Sequence, residues 1–380
     1  MSTKIQWTEE TWNPIAGCSV VSPGCTNCYA MRRAAPRLSQ NQATPQYHGT
    51  VKPSKGGYVW TGRIGIAADT AFLKPLRTKK PTMFFVNSMS DLFHEHVPDE
   101  VIDRIFAIMA LCPQHTFQVL TKRSKRMREY LAKRSGDWAD RWTRAVDFDR
   151  RPIHHRPDEY GRLLMRNYGP FPLPNVWLGV SVEDQTRADE RIPDLLATPA
   201  AIRFISAEPL LGPVDITPYL FIYTHEDDHI LGAAPASELP VLPFRDPVST
   251  PAKDIATPRL DWVIVGGESG KGARPMHPDW ARQIRDQCAA AGVHHFFKQW
   301  GNWLPWEPEH GPCWKSQSGR CEDHHALFPV DMDQDPKWDD GLWALTSEGI
   351  EHFAFQNVGT KRAGRLLDGV EHNAMPEALS

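Results

Sequence analysis

Six short apolar runs constrain the fold of this chain more than any other feature. They are TMFFVNS (82–88), TFQVLTK (116–122), VWLGVSV (176–182), IRFISAE (202–208), DWVIVGGES (261–269) and HHFFKQW (294–300). None alternates apolar and polar residues, so each is expected to be buried on both faces, as parallel strands are. Helical patterns fall between several of them, at 98–112, 124–134, 184–197 and 278–292. The first begins with Pro98-Asp99 and the last ends at Gly292, which are start and stop signals for helices. Strand and helix in alternation predict an α/β fold with a parallel sheet. A further, irregular first strand is expected at 11–17, where Pro14 interrupts it. Two segments, 135–175 and 212–259, are too long for ordinary connections and are expected to be insertions. After Trp300 the rhythm stops, and residues 301–380 are expected to be a loop-rich appendage and tail.

Composition narrows the class. The 380 residues carry a net charge of −3, which gives no global attraction to nucleic acid but leaves room for a local basic patch. No apolar run is long enough to span a membrane and the N-terminus MSTKIQWTEE has no signal-peptide core. A cytoplasmic protein without membrane partners is therefore expected. Thiols stay reduced there, so clustered cysteines point to metal or chemistry rather than disulfides.

Such a cluster exists. GCSVVSPGCTNCYA (17–30) holds Cys18, Cys25 and Cys28 in the spacing C-x6-C-x2-C. A closed zinc site takes four ligands, and the nearest histidine, His48, stands twenty residues further on. A 4Fe-4S cluster also usually takes four cysteines, so three leave one iron open to a substrate or cofactor. Enzymes that cleave S-adenosylmethionine to a radical use that arrangement. Zinc completed by a remote histidine and three unrelated thiols are the competing readings. Cys112 and Cys288 lie in apolar helix patterns and read as core. Cys313 and Cys321, near His310, His324 and His325, read as free surface thiols, with a weak second metal set as the alternative.

The strand ends share a polar character. They carry Asn87, Ser88, Ser90 and Asp91; Lys122 and Arg123; Ser181 and Glu183; Ser206 and Glu208; Gly266, Gly267 and Glu268; and Lys298. In parallel barrels the C-terminal strand ends form the active face. Six such ends make one polar bowl, unless each is polar only because it meets water. In VGGESG the glycines allow close backbone approach to a ligand. The cations of LTKR suit a carboxylate or phosphate.

The stretches WTEETWNPIAGCSVVSPGCTNCYA, VNSMSDLFHEHVP, FQVLTKRSKRM, VWLGVSVEDQ, ISAEPLLGPVD, DWVIVGGESG, FFKQWG and KRAGRLLDG resemble the phage and prophage three-cysteine-motif family of unknown function, whose members look like distant radical S-adenosylmethionine proteins. The resemblance implies an incomplete (βα) barrel over residues 1–300, with a 4Fe-4S cluster on Cys18, Cys25 and Cys28. The x6 spacing departs from the C-x3-C-x2-C of most such enzymes, and VNSMSD stands where they carry a glycine-glycine-glutamate motif. Under this reading Ser88, Ser90, Asp91, Glu183, Ser206, Glu208, Gly266, Gly267 and Glu268 would contact S-adenosylmethionine. Lys122, Arg123 and Lys298 would contact substrate. The substrate class implied is a nucleic acid or nucleotide to be modified or repaired. An external electron donor and a partner protein of the three-cysteine-motif system are also implied. Basic stretches at TKRSKRMREYLAKR and GTKRAGR and 14 tryptophans are candidate nucleic-acid contacts. The plainer reading makes them a solvated helix face and core. The functional alternative is a zinc-stabilised nucleic-acid-binding or partner-binding module without radical chemistry.

Overall fold

Seven parallel strands form one curled sheet, a half-barrel whose neighbours follow chain order. They are β1 (Glu10–Trp12), β2 (Met83–Val86), β3 (Thr116–Thr121), β4 (Val176–Ser181), β5 (Ile202–Ala207), β6 (Trp262–Gly266) and β7 (His294–Gln299). The computed structural model describes residues 3, 5–134, 141, 142, 145, 171–220, 259–306, 342–347 and 350–377. All six apolar runs form strands. The expected first strand is shorter than 11–17. It stops at Trp12, and Ile15–Ala16 pairs instead with Gly65–Ile66 in an antiparallel bridge, because Pro14 has no N–H to continue the ladder.

Helices α1 (Asp99–Ala110), α2 (Ser124–Arg134), α3 (Gln185–Leu196) and α4 (Pro278–Ala291) follow β2, β3, β4 and β6. Each end has a local cause. Asp99 and Glu100 occupy the first turn of α1, where the helix dipole favours negative charge. The Asp184 carboxylate caps α3 by accepting from the Arg187 N–H at 2.9 Å. Gly292 ends α4 in the left-handed conformation.

The two sheet faces are filled differently. One face packs against the helices in the main core, where Phe84, Val119, Val180, Ile205, Val263 and Phe297 meet Ile105, Ile192 and Ile284. The other face carries a separate aromatic cluster of Trp7, Trp177, Phe204, Trp262 and Phe296. Strand alternation then continues this second face upward through Ser181, Ser206 and Gly266 towards the C-terminal ends.

The C-terminal region is more than a loop-rich appendage. Trp303–Trp306, Leu342–Ser347 and Ile350–Asn357 form a three-stranded antiparallel sheet. The tail beyond it returns to β7, with Phe297 N–H donating to the His372 carbonyl at 2.9 Å and Trp300 N–H to the Gly364 carbonyl at 3.2 Å. It covers groups that an open sheet edge would leave unpaired. The expected insertions fall largely outside the described residues, and Cys313 and Cys321 lie wholly outside them. Among the described residues, no helix is long and apolar enough to cross a membrane.

Candidate functional site

The cysteine loop leaves β1 and crosses to the C-terminal ends of strands on the far side of the sheet. Its fixings are side chains that the loop and those strand ends exchange. At the β3 end, the Arg123 guanidinium donates to Ser19 Oγ at 2.7 Å and lies 3.7 Å from Cys18 Sγ. At the β4 end, Ser22 donates to Glu183 Oε1 at 2.7 Å. At the β6 end, the Asn27 amide donates to Glu268 Oε2 at 2.8 Å and to the Gly272 carbonyl at 2.7 Å. Arg274 donates to the Pro23 carbonyl at 3.0 Å and to both Glu268 oxygens. Gly24 seats directly on Glu183, where a Cβ would come within 2.5 Å of the carboxylate.

Beneath these contacts the charges are buried and matched. Glu183 is fully buried and accepts from Lys122, from Arg191 at 3.1 Å and from Ser22. Burial works to raise its carboxyl, but Lys122 and Arg191 hold it below the usual carboxylate range. Asp91 accepts from Thr121 Oγ1 at 2.7 Å, from the Lys122 N–H at 3.0 Å and from Arg123 at 3.1 Å. Arg123 also donates to Glu95 at 2.9 Å. Ser88 donates to Asn13 Oδ1 and Ser90 to the Ile15 carbonyl, both at 3.1 Å, tying the exit of β2 to that of β1. Gly267 is glycine because the Trp300 carbonyl lies where a Cβ would stand.

The predicted site residues thus divide. Ser88, Ser90, Asp91, Lys122, Arg123, Glu183 and Glu268 hold the strand exits and the cysteine loop together. Glu208 and Lys298 form their own pair, Nζ to carboxylate at 2.6 and 2.8 Å, about one-fifth exposed, with Gly266 packed beside Glu208. Ser181 and Ser206 face each other in register on β4 and β5, and neither hydroxyl is hydrogen-bonded among the described residues. Asn13, Ser19, Ser22, Asn27 and Arg274 were not expected. Single polar residues in a loop carry no sequence signal for a partner far along the chain. Asn87, named among the polar strand ends, holds an unexpected conformation. It adopts φ 61° at the β2 exit, and both its amide atoms are buried without a partner, an arrangement that costs about 1–3 kcal/mol.

The three thiols come to one neighbourhood but do not meet as a finished metal site. Among the described residues no three His, Cys, Asp or Glu side chains form a ready metal-binding group. Burial pushes the Cys18 thiol up to about 12, reinforced by Asp91 and opposed by Arg123. Burial also raises Cys28, with Cys25 adding to it. In kind the donors suit an iron–sulfur cluster or zinc, and three sulfurs on one loop leave one position of a four-ligand site open, with Arg123 and Lys122 opposing burial at the thiols. Ligation requires the side chains to turn towards one another within the loop.

The sequence matches the DUF5131 family, described as proteins of unknown function, over residues 2–376. The chain belongs to that family. No match was found among curated proteins or among solved structures.

Proposed function

We propose that this DUF5131 protein, as its likeness to the three-cysteine-motif family implies, is an iron–sulfur, S-adenosylmethionine-dependent radical enzyme that modifies or repairs a nucleic acid or nucleotide. One observation carries the reading. The three cysteines sit on a single loop leaving the first strand of a parallel half-barrel, and that loop is fastened over the C-terminal strand ends. Active groups gather at that face in parallel barrels. Cys18, Cys25 and Cys28 would hold a 4Fe-4S cluster, which would supply one-electron chemistry to S-adenosylmethionine.

The chain's own residues would set the surroundings. Arg123, held by Asp91 and Glu95, orients Cys18 and Ser19. Glu183 and Glu268 fix the loop's height above the sheet through Ser22 and Asn27. Ser181, Ser206, Asn87 and the Glu208–Lys298 pair are the polar groups not spent on the loop, and they remain for the cofactor's polar groups. This redistributes the expected roles, since Glu183, Glu268 and Lys122 act by positioning.

Zinc is the second reading, favoured by how many strand-end charges are engaged in internal pairs. Anaerobic reconstitution decides between them. The expected result is about four irons per chain, lost on replacing Cys18, Cys25 or Cys28 with Ala, and 5′-deoxyadenosine released from S-adenosylmethionine under reductant. One zinc per chain and no iron would overturn the radical reading.

A further inference from the structure

Residues 11–68 contain no aspartate or glutamate. At the chain's average of 46 acids in 380 residues, a segment of this length would hold about seven. It carries six cations: Arg32, Arg33, Arg37, Lys52, Lys55 and Arg63. The segment folds into a lobe around the cysteine loop, with its own small core of Ala30, Met31, Ala34, Tyr47, Trp60 and Met89. A π-helix, Ala30–Ala34, begins two residues after Cys28 and packs on the hairpin of Val51–Ser54 and Gly57–Trp60.

None of the six cations makes an ion pair or a side-chain hydrogen bond among the described residues. One of them reaches across the lobe to the hairpin and one reaches a turn outside it. The Arg32 guanidinium lies 3.8 Å from where a Cβ of Gly56 would stand, at the hairpin turn beside Lys55. The Arg33 guanidinium lies 3.6 Å from the corresponding point at Gly270, next to the exposed Lys271. The Nε of Arg32 is buried without a partner, although a buried donor normally has one. Hairpin, π-helix and the 270–272 turn therefore join into one cationic band. Tyr29 stands immediately before the π-helix and next to Cys28, with 61% of its surface exposed.

We infer that this band binds the phosphodiester backbone of a single-stranded nucleic acid, with a base stacked on Tyr29 beside the cysteines. Unpaired guanidinium and ammonium groups on a segment with no acids of its own, beside carboxylates already paired with Lys122, Arg191 and Arg274, suit a phosphate polymer. An exposed aromatic ring among them suits an unpaired base and not the closed stack of a duplex. The inference deepens the nucleic-acid part of the proposed function and needs no bound cluster.

The test is fluorescence anisotropy with labelled single-stranded DNA and RNA of about 20 nucleotides, longer than one such module covers. Duplex DNA and phosphatidylserine vesicles serve as competitors. The single strand is expected to bind, with RNA and DNA arms showing which sugar is preferred. Arg32→Glu with Arg33→Glu should weaken binding at least tenfold. Lys52→Gln with Lys55→Gln, on the exposed hairpin, should weaken it and lower the salt slope by about 1.4, roughly 0.7 for each lost phosphate contact. Tyr29→Ala should weaken binding with the slope unchanged. Should the arginine variant fail to fold, the lysine variant still decides. Unchanged binding in the lysine variant, or displacement of the strand by duplex or vesicles at equal charge, would overturn the inference. Iron content on the same samples separates the two readings. Strand binding without iron overturns the cluster and leaves this surface standing, and iron without strand binding does the reverse.

Discussion

Two basic regions of this molecule look alike as sequence and differ as structure. The stretch from Lys122 through α2 is the more basic, yet four of its cations are spent on acids, leaving Lys125 and Lys133 exposed. Lys122 pairs with Glu183, Arg123 with Asp91 and Glu95, Arg126 with Asp99, and Arg128 with Asp194. A cleft of about 490 Å³ beside α2 is lined by Lys122, Arg123 and Arg126 together with Glu95, Asp99, Glu129, Glu190 and Asp194, so its cations face acids as well as Lys125 and Lys133. The lobe of residues 11–68 has fewer cations per residue, but none has a partner among the described residues. Local charge density therefore misplaces the electropositive surface, because a field depends on what the fold brings beside each charge. The tryptophans carry the same lesson. Trp7, Trp12, Trp60, Trp177, Trp262 and Trp303 are buried, so the aromatic available for stacking beside the cysteines is a tyrosine.

Glu183 is the centre of the paired region. Glu183→Ala leaves Arg191 buried without its carboxylate and removes the seat of Gly24 and Ser22. A stability loss of about 3–5 kcal/mol is expected by chemical denaturation. A loss near zero would mean that the pairing is incidental.

Acid should separate the regions next. Glu183 has a folded pKa below its unfolded value, so its contribution is present above about pH 4.5 and fades as pH falls through the folded value. His295 is held neutral, down to about 3, by burial and by the neighbouring His372 and Arg285. Its contribution is present above about pH 6.5 and is lost between there and about pH 3. Melting temperature should fall over that whole range, and His295→Phe should flatten the part above pH 4.5. Strand binding at the lobe depends on Lys and Arg, which do not titrate there, and should change little between pH 8 and about 6.5.

Charge reversal tests the α2 side directly. Lys125→Glu with Lys133→Glu, on exposed positions of α2, should alter single-strand affinity by no more than about twofold, against at least tenfold for the lobe arginines. Equal effects would erase the distinction between the two regions. The smallest effect expected is at Asn27→Ala, which removes bonds to Glu268 and Gly272. It should cost about 1–2 kcal/mol, with a parallel loss of iron retention if the loop must hold its height to ligate.

Much of the scaffold was legible from residue pattern. Val176–Ser181 or Trp262–Gly266 can be read as a buried parallel strand because apolar continuity is a local property, and Gly292 marks a helix end because only local backbone geometry is involved. The three cysteines and the polar strand ends were visible for the same reason. Whom the strand-end residues contact is decided only by the fold. Glu183 meets Ser22 across 161 residues of chain, and Glu268 meets Asn27 across 241. Neither separation leaves a periodic trace, since an ion pair or hydrogen bond requires convergence in space and says nothing about spacing in sequence. The absence of acids from residues 11–68 is a property of the sequence alone. That those cations stay unpaired near an exposed Tyr29 beside the cysteines is decided by tertiary structure, which pairs the nearby carboxylates Asp91, Glu183 and Glu268 with Arg123, Lys122, Arg191 and Arg274 instead.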